Sequence, residues 1–309
     1  MKIAMMGSGG VGGFFGGRLA HAGCDVSFIA RGAHLAAMRE RGLTIENEPQ
    51  GNIHLPKVRA TGDPAALGPM DLVILSVKLW DTEAAARTIR PLVGPDTGVL
   101  SLQNGVIKDD ILRREFGDAA VMGGVCYVAT TISRPGVIHQ TGTMQRIVLG
   151  EYDGRKSERA KFLLGALLRA GVSAELSADV RRAIWEKYVF LVGLSATTTA
   201  MRMPIGPIRG NPQTRAFLLE VMRETVAVGR AHGVALPQDY AESRLEFADG
   251  LPADMTASMH HDLERGNPLE VNWLSGGVVQ LGKQKGVPTP ANRAVCDILA
   301  LYAAGKQGK

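Results

Sequence analysis

The chain has 309 residues, 45% of them hydrophobic and 21% charged, which is long enough to bury two cores and too apolar for a disordered chain. Its formal charge of +5 comes from Lys and Arg scattered among acids, with no basic stripe and no interleaved aromatics, so nucleic acid is not the expected partner and a small anionic substrate and cofactor are. No apolar run reaches bilayer length, Met1-Lys2 lead straight into a strand-like run with no room for a signal peptide, and Cys24, Cys126 and Cys296 show no paired spacing; a cytoplasmic setting without membrane contact is expected.

In chain order, residues 2–6 read as a strand, followed by a glycine loop and a helix to about Ala22. Residues 25–30 form a second strand, and the apolar runs 71–77 and 98–102 are short enough for buried parallel strands, with a helix over 81–92 between them. Residues 121–131 and 145–150 supply further strands, the latter placed at an edge. An amphipathic helix over 157–170 precedes a last strand over 171–176. Beyond about Ala178 only long helical patterns remain, broken by a loop at 203–207. The expected fold class is therefore α/β, with a parallel-sheet domain over residues 1–178 and an all-helical domain over 179–309.

Gly7-Ser8-Gly9-Gly10-Val11-Gly12 fits G-x-G-x-x-G in the context that gives the motif meaning, directly after an apolar strand and opening a helix. Gly7 permits a tight turn, Gly9 lets backbone approach a pyrophosphate, and Gly12 allows close packing of helix on strand. The positive helix end then meets the phosphates. At the end of the second strand, where an NAD enzyme usually presents an acid to the ribose, this chain has Ala30-Arg31-Gly32. An arginine can pair with a 2′-phosphate, so NADPH is the expected cofactor.

Four further motifs follow in order: Val77-Lys78-Leu79-Trp80, Gln103-Asn104-Gly105, Trp185-Glu186-Lys187 and Leu269-Glu270-Val271-Asn272. Together with the glycine loop, their order and spacing resemble the ketopantoate reductase (2-dehydropantoate 2-reductase) family over nearly the whole chain. The resemblance implies a Rossmann-type domain, a helical domain similar to that of 6-phosphogluconate dehydrogenase, and NADPH-dependent reduction of a small 2-keto acid, as in pantothenate biosynthesis. It also implies that Lys187 is the catalytic proton donor and that Glu270 orients it or holds cofactor and substrate hydroxyls. A lysine beside a carbonyl that receives hydride can stabilise the developing oxyanion and protonate it, and the apolar stretch after Lys187 suits partial burial. By the same resemblance Ser258 binds the substrate carboxylate, Asn104 contacts cofactor and substrate, and Lys78 and Ala129 line the cofactor.

The sequence departs from the family where asparagines usually hold the hydroxyls and carboxylate of ketopantoate. Leu191, Ser195 and Ile205 stand there. Leucine offers no hydrogen bond, while Ser195, followed by three threonines, can replace part of what is lost. A reductase of a different 2-keto acid therefore stays open, as does a non-catalytic NADPH sensor, which would have no need of Lys187. The adjacent His260 and His261 lack a third ligand at helical spacing and are read as surface residues or neighbours of Ser258, so no metal is expected. The sequence leaves oligomeric state open, a homodimer included.

Overall fold

A computed structural model describes residues 1–47 and 51–306. Clustering of contacts divides the chain into two compact units, Met1–Asn104 with Lys108–Ala183, and Gly105–Ile107 with Ile184–Lys309.

The first unit runs β1 (Lys2–Met6), α1 (Gly10–His21), β2 (Asp25–Ile29), α2 (Gly32–Arg41), β3 (Leu43–Glu46), β4 (Ile53–Leu55), β5 (Arg59–Thr61), β6 (Met70–Leu75) and α3 (Thr82–Thr88). It continues through β7 (Val93–Ser101), α4 (Lys108–Phe116), β8 (Val121–Arg134), β9 (Val137–Glu151), α5 (Glu158–Arg169) and β10 (Ser173–Leu176). The strands make one 10-stranded sheet in the order β4-β3-β9-β8-β7-β6-β1-β2-β5, with β10 beside β9. The strands β2, β1, β6, β7 and β8 pair in parallel. Side chains alternate along β1: Ile3 and Met5 enter a core with Phe14, Phe15 and Phe28, while Ala4 and Met6 enter another with Val73, Leu75 and Val99. A strand buried on both faces must be apolar throughout, which is why these runs show no polar alternation.

The structure corrects the sequence reading in three places. Residues 145–150 are interior to the sheet, since β9 pairs with β8 on one side and with β3 and β10 on the other. The short strands β3, β4 and β5 went unread because three or four residues such as Arg59-Ala60-Thr61 carry too little pattern to be seen before pairing. The helix expected over 81–92 is confined to α3, with 3-10 turns before and after it; Pro91, lacking an N–H, cannot continue an α-helix.

The remaining helices are α6 (Val180–Met201), α7 (Ile205–Gly210), α8 (Pro212–Ala231), α9 (Tyr240–Asp249), α10 (Ser258–Arg265), α11 (Ser275–Lys285) and α12 (Pro290–Leu299). The core of the second unit gathers Trp185, Tyr188 and Val192 from α6 with Met222, Val278 and Val295, and Val106 and Ile107 pack on it. The chain passes from one unit to the other within α6, between Ala183 and Ile184, and the second unit takes three residues from the segment after β7. The break after α6 lies where Arg202 adopts φ +54°, and Pro204 then opens α7. Glu224, buried on α8, accepts hydrogen bonds from the Ala291 and Asn292 amides at 2.7 and 2.9 Å and so caps α12 from a distance. Among the described residues no helix is long and apolar enough to cross a membrane.

Candidate active site

In the first unit the candidate residues collect at the carboxyl ends of β1, β2, β6 and β7, where ligands bind in open parallel sheets. Gly7 turns the chain at φ +92°, and its carbonyl accepts a 2.7 Å hydrogen bond from Ser76 Oγ at the end of β6. The Gly7 and Ser8 amides donate to the Ile29 carbonyl at 3.2 and 3.1 Å, tying the loop to β2. A Cβ on Gly12 would run into the Gly7 carbonyl oxygen and Ser76 Oγ, whereas a Cβ on Gly9 would meet nothing within 4 Å. Gly9 is the N-cap of α1 and supplies no side-chain bond, so the amides of Gly10, Val11 and Gly12 are the helix's open donors. This arrangement fits a dinucleotide pyrophosphate.

Ala129 is exposed and falls where the β8–β9 register shifts, between the pairs Val128↔Gln145 and Thr130↔Gln140. The next carbonyl, Thr130 O, would stand 2.5 Å from a Cβ on Gly10, so this bulge lies against the start of α1. Lys78, half-buried, places its ammonium 5.7 Å from the centre of the Trp80 ring. Its backbone carbonyl accepts from the Gln103 amide, which also donates 2.8 Å to Thr82 Oγ1. Asn104 follows Gln103 directly, half-buried, with Gly105 at φ +80° after it. Lys108, 1% exposed, donates to the carbonyls of Ser101 and Gly124 and to Asp109 at 2.9 to 3.1 Å, which ties the end of β7 to β8. Burial raises the Asp109 carboxyl, against the pull of Lys108 and of the Tyr152 hydroxyl that donates to it.

Arg31 is exposed at the N-terminus of α2, and its Nη2 donates to Asp81 Oδ2 at 3.1 Å. Sequence reasoning missed Asp81, along with Ser76 and Lys108, and gave Gln103 no role beyond its place in a motif. It also missed His34, whose Nε2 lies 2.9 Å from the Ser8 carbonyl while Nδ1 accepts from the Gly136 amide at 3.0 Å. Both contacts are made by one neutral tautomer with the proton on Nε2. Burial holds the His34 imidazole below its usual value, the bond to Ser8 opposing. A depressed histidine leaves stability intact above the ordinary value of 6.5 and removes it as pH falls through the folded-state value, because the unfolded chain takes up the proton more readily. The expected result is a melting temperature that drops as pH is lowered from 7.5 to 5. That slope should be smaller in His34→Gln, whose amide can donate to Ser8 and accept from Gly136; an unchanged slope would assign it to other groups.

In the second unit Lys187 is half-buried on α6. The hydroxyl of Tyr188, the next residue, donates to the carbonyls of Trp273 and Leu274 at 3.1 and 2.6 Å. The Trp273 and Leu274 amides in turn bond the Glu270 carbonyl. Glu270, 6% exposed on a 3-10 turn over Glu270–Asn272, is therefore held on a segment pinned to α6 one residue from Lys187. Leu191, Ser195 and Thr198 continue the Lys187 face at helical spacing. Leu191 is half-buried. Ser195, by contrast, is 1% exposed, and its hydroxyl has no hydrogen-bond partner among the described residues. Thr198 anchors the start of α10: its Oγ1 accepts from the Ala257 amide at 3.4 Å and its carbonyl lies 2.7 Å from His260 Nδ1. Ser258, exposed as the first residue of α10, is thereby tethered to α6 three turns beyond Lys187, about 16 Å along the axis.

His260 is buried and bonded to α6, so only His261 is a surface residue. Ile205 is fully buried in the core, its amide on the Met255 carbonyl. Among the described residues no group of three His, Cys, Asp or Glu could hold a metal ion.

Comparison with known proteins finds two family models that match the chain in succession. Residues 3–154 match the family model described as ketopantoate reductase PanE/ApbA, and residues 179–303 match the model of its C-terminal part. The chain is 32% identical to a 2-dehydropantoate 2-reductase of Mesorhizobium japonicum, over 98% of each protein. It is 29% identical to the uncharacterized oxidoreductase YkpB of Bacillus subtilis, over 99% of this chain and all (100%) of the other. Among solved structures, a PanE/ApbA family ketopantoate reductase from Ralstonia eutropha superposes with a TM-score of 0.89 at 35% identity, covering 98% of both chains.

Proposed function

From the premise that this chain belongs to the ketopantoate reductase family, a family of NAD(P)-dependent oxidoreductases, we propose that it reduces 2-dehydropantoate to pantoate with NADPH. The observation that supports the reading is the tie between α6 at Tyr188, the residue after Lys187, and the segment that carries Glu270, which keeps the candidate proton donor and the candidate acid on joined elements that a protein only sensing the dinucleotide would not need. NADPH bound at the glycine loop would supply hydride to the keto carbon. The loop amides and the positive end of α1 hold the pyrophosphate, Arg31 meets the 2′-phosphate, and Lys78, Asn104 and Ala129 border the rest of the cofactor. Lys187 Nζ, as an ammonium, hydrogen-bonds the keto oxygen, stabilises charge as it develops there, and gives it a proton. The C=O bond becomes C–H and O–H, and the neutral amine recovers its proton from water. Glu270 orients the ammonium, and Ser258 and Ser195 offer hydroxyls to the substrate.

One observation favours a second reading within the same chemistry. Leu191, one turn from Lys187, presents a hydrocarbon side chain, so a 2-keto acid with an apolar group beside the carbonyl would fit that part of the face better than one with a hydroxyl. Purified protein with NADPH and a panel of 2-keto acids, followed at the dihydronicotinamide absorbance, separates the readings. Fastest turnover with 2-dehydropantoate supports the first, preference for a branched or aryl 2-keto acid the second, and turnover of none refutes both. We place the protein in the cytoplasm, where three free thiols stay reduced; sedimentation distinguishes a monomer from a homodimer.

A further inference from the structure

We propose that Asp81 is a second determinant of cofactor choice: its carboxylate engages the Arg31 guanidinium in competition with the 2′-phosphate of NADPH, and so narrows the discrimination that Arg31 alone would impose. The inference rests on the NADPH reading and concerns the same site.

Arg31 follows β2, and Asp81 closes the 3-10 turn over Leu79–Asp81 that follows β6. Both strands flank β1, so the two side chains meet from either side of the strand that ends in the glycine loop. Their contact, Nη2 to Oδ2 at 3.1 Å, joins residues 50 apart in sequence. Asp81 is the N-cap of α3 yet makes no side-chain cap bond there. Its carboxylate is therefore not spent on capping α3 and is turned to Arg31 instead.

The pair is exposed, with side-chain accessibilities of 77% for Arg31 and 36% for Asp81. Exposed pairs are weak and exchange readily. A phosphate monoester, with close to two negative charges, can take the guanidinium from a single carboxylate, but the displaced carboxylate remains a like charge beside it. An unphosphorylated ribose meets the opposite situation. Its hydroxyls can donate to Asp81, which then does what the acid at the end of the second strand does in NAD enzymes. One residue thus penalises NADPH and favours NADH, while Arg31 does the reverse.

Dissociation constants for NADPH and NADH, read from dihydronicotinamide fluorescence without any substrate, test this in the wild type, Asp81→Asn, Arg31→Ala and the double variant. Asn is isosteric with Asp at a position that caps nothing, so the fold should be retained; Asp81→Ala serves as a second probe. Asp81→Asn should raise the preference for NADPH over NADH about 3- to 10-fold. Arg31→Ala should lower that preference, and Asp81→Asn should raise it by a smaller factor in the Arg31→Ala background than in the wild type, because competition for the guanidinium is then gone while the like charge and the ribose hydrogen bond persist. A preference unchanged or lowered in both Asp81 variants, with Arg31→Ala still lowering it, would overturn the role of Asp81. A preference untouched by Arg31→Ala would overturn the phosphate role of Arg31 itself.

Discussion

Lys187→Ala should lower kcat about 10²- to 10⁴-fold, the range that a positioned general acid contributes, while the dissociation constant for NADPH stays within a factor of about two. The asymmetry follows from where the residue sits. Lys187 belongs to the helical unit, on α6, and the glycine loop belongs to the other unit. Removing a group that acts only as charge develops on the keto oxygen costs transition-state stabilisation and leaves ground-state cofactor contacts alone. Truncation of a half-buried side chain also leaves the neighbouring Tyr188 pin intact, so circular dichroism should be unchanged. Steady-state kinetics together with fluorescence titration check both halves. An equal loss of cofactor affinity would reassign Lys187 to cofactor binding, and an unaltered kcat would remove it from the chemistry.

Two alanine substitutions in the glycine loop should fail for different reasons. Gly12→Ala places a methyl group against the Gly7 carbonyl and Ser76 Oγ, so helix and strand must separate. Overpacking of this kind costs about 1–3 kcal/mol, and both the melting temperature and NADPH affinity should fall. Gly9→Ala adds a methyl that meets no protein atom within 4 Å, so the melting temperature should hold or rise slightly. Its methyl would nonetheless stand at the open amides of α1, where the pyrophosphate must approach, and NADPH affinity should drop more than 10-fold, about 1.4 kcal/mol or more. Thermal melts with and without NADPH separate the two. Intact cofactor binding in Gly9→Ala would mean that the phosphates lie elsewhere.

The glycine loop was legible in the sequence because Gly7, at φ +92°, and Gly12, packed against the Gly7 carbonyl, are demanded by backbone geometry, and because Gly9 between them completes a known spacing directly after an apolar strand. The parallel strands were legible because burial on both faces forces unbroken apolar runs. Lys187 and Glu270 could be read only through resemblance to a family, since a lysine or glutamate on a helix has no pattern of its own. His34, Ser76 and Asp81 could not be read at all, and Gln103 was seen only as part of a motif, without a role. Each acts through a partner distant in sequence: Ser8 and Gly136 for His34, Gly7 for Ser76, Thr82 and the Lys78 carbonyl for Gln103, and Arg31 for Asp81.

What the amino-acid sequence determined by itself was therefore everything governed by short-range geometry and burial: the strand, loop and helix of the cofactor site, the arginine in place of an acid, and the change from alternating elements to helices alone. Only the tertiary structure decided that β9 lies inside the sheet, that Ile205 and His260 are buried, that the segment of Glu270 is pinned beside Lys187, and that Asp81 meets Arg31. Contacts of this kind join residues tens of positions apart, and their energies depend on distances that no local pattern encodes.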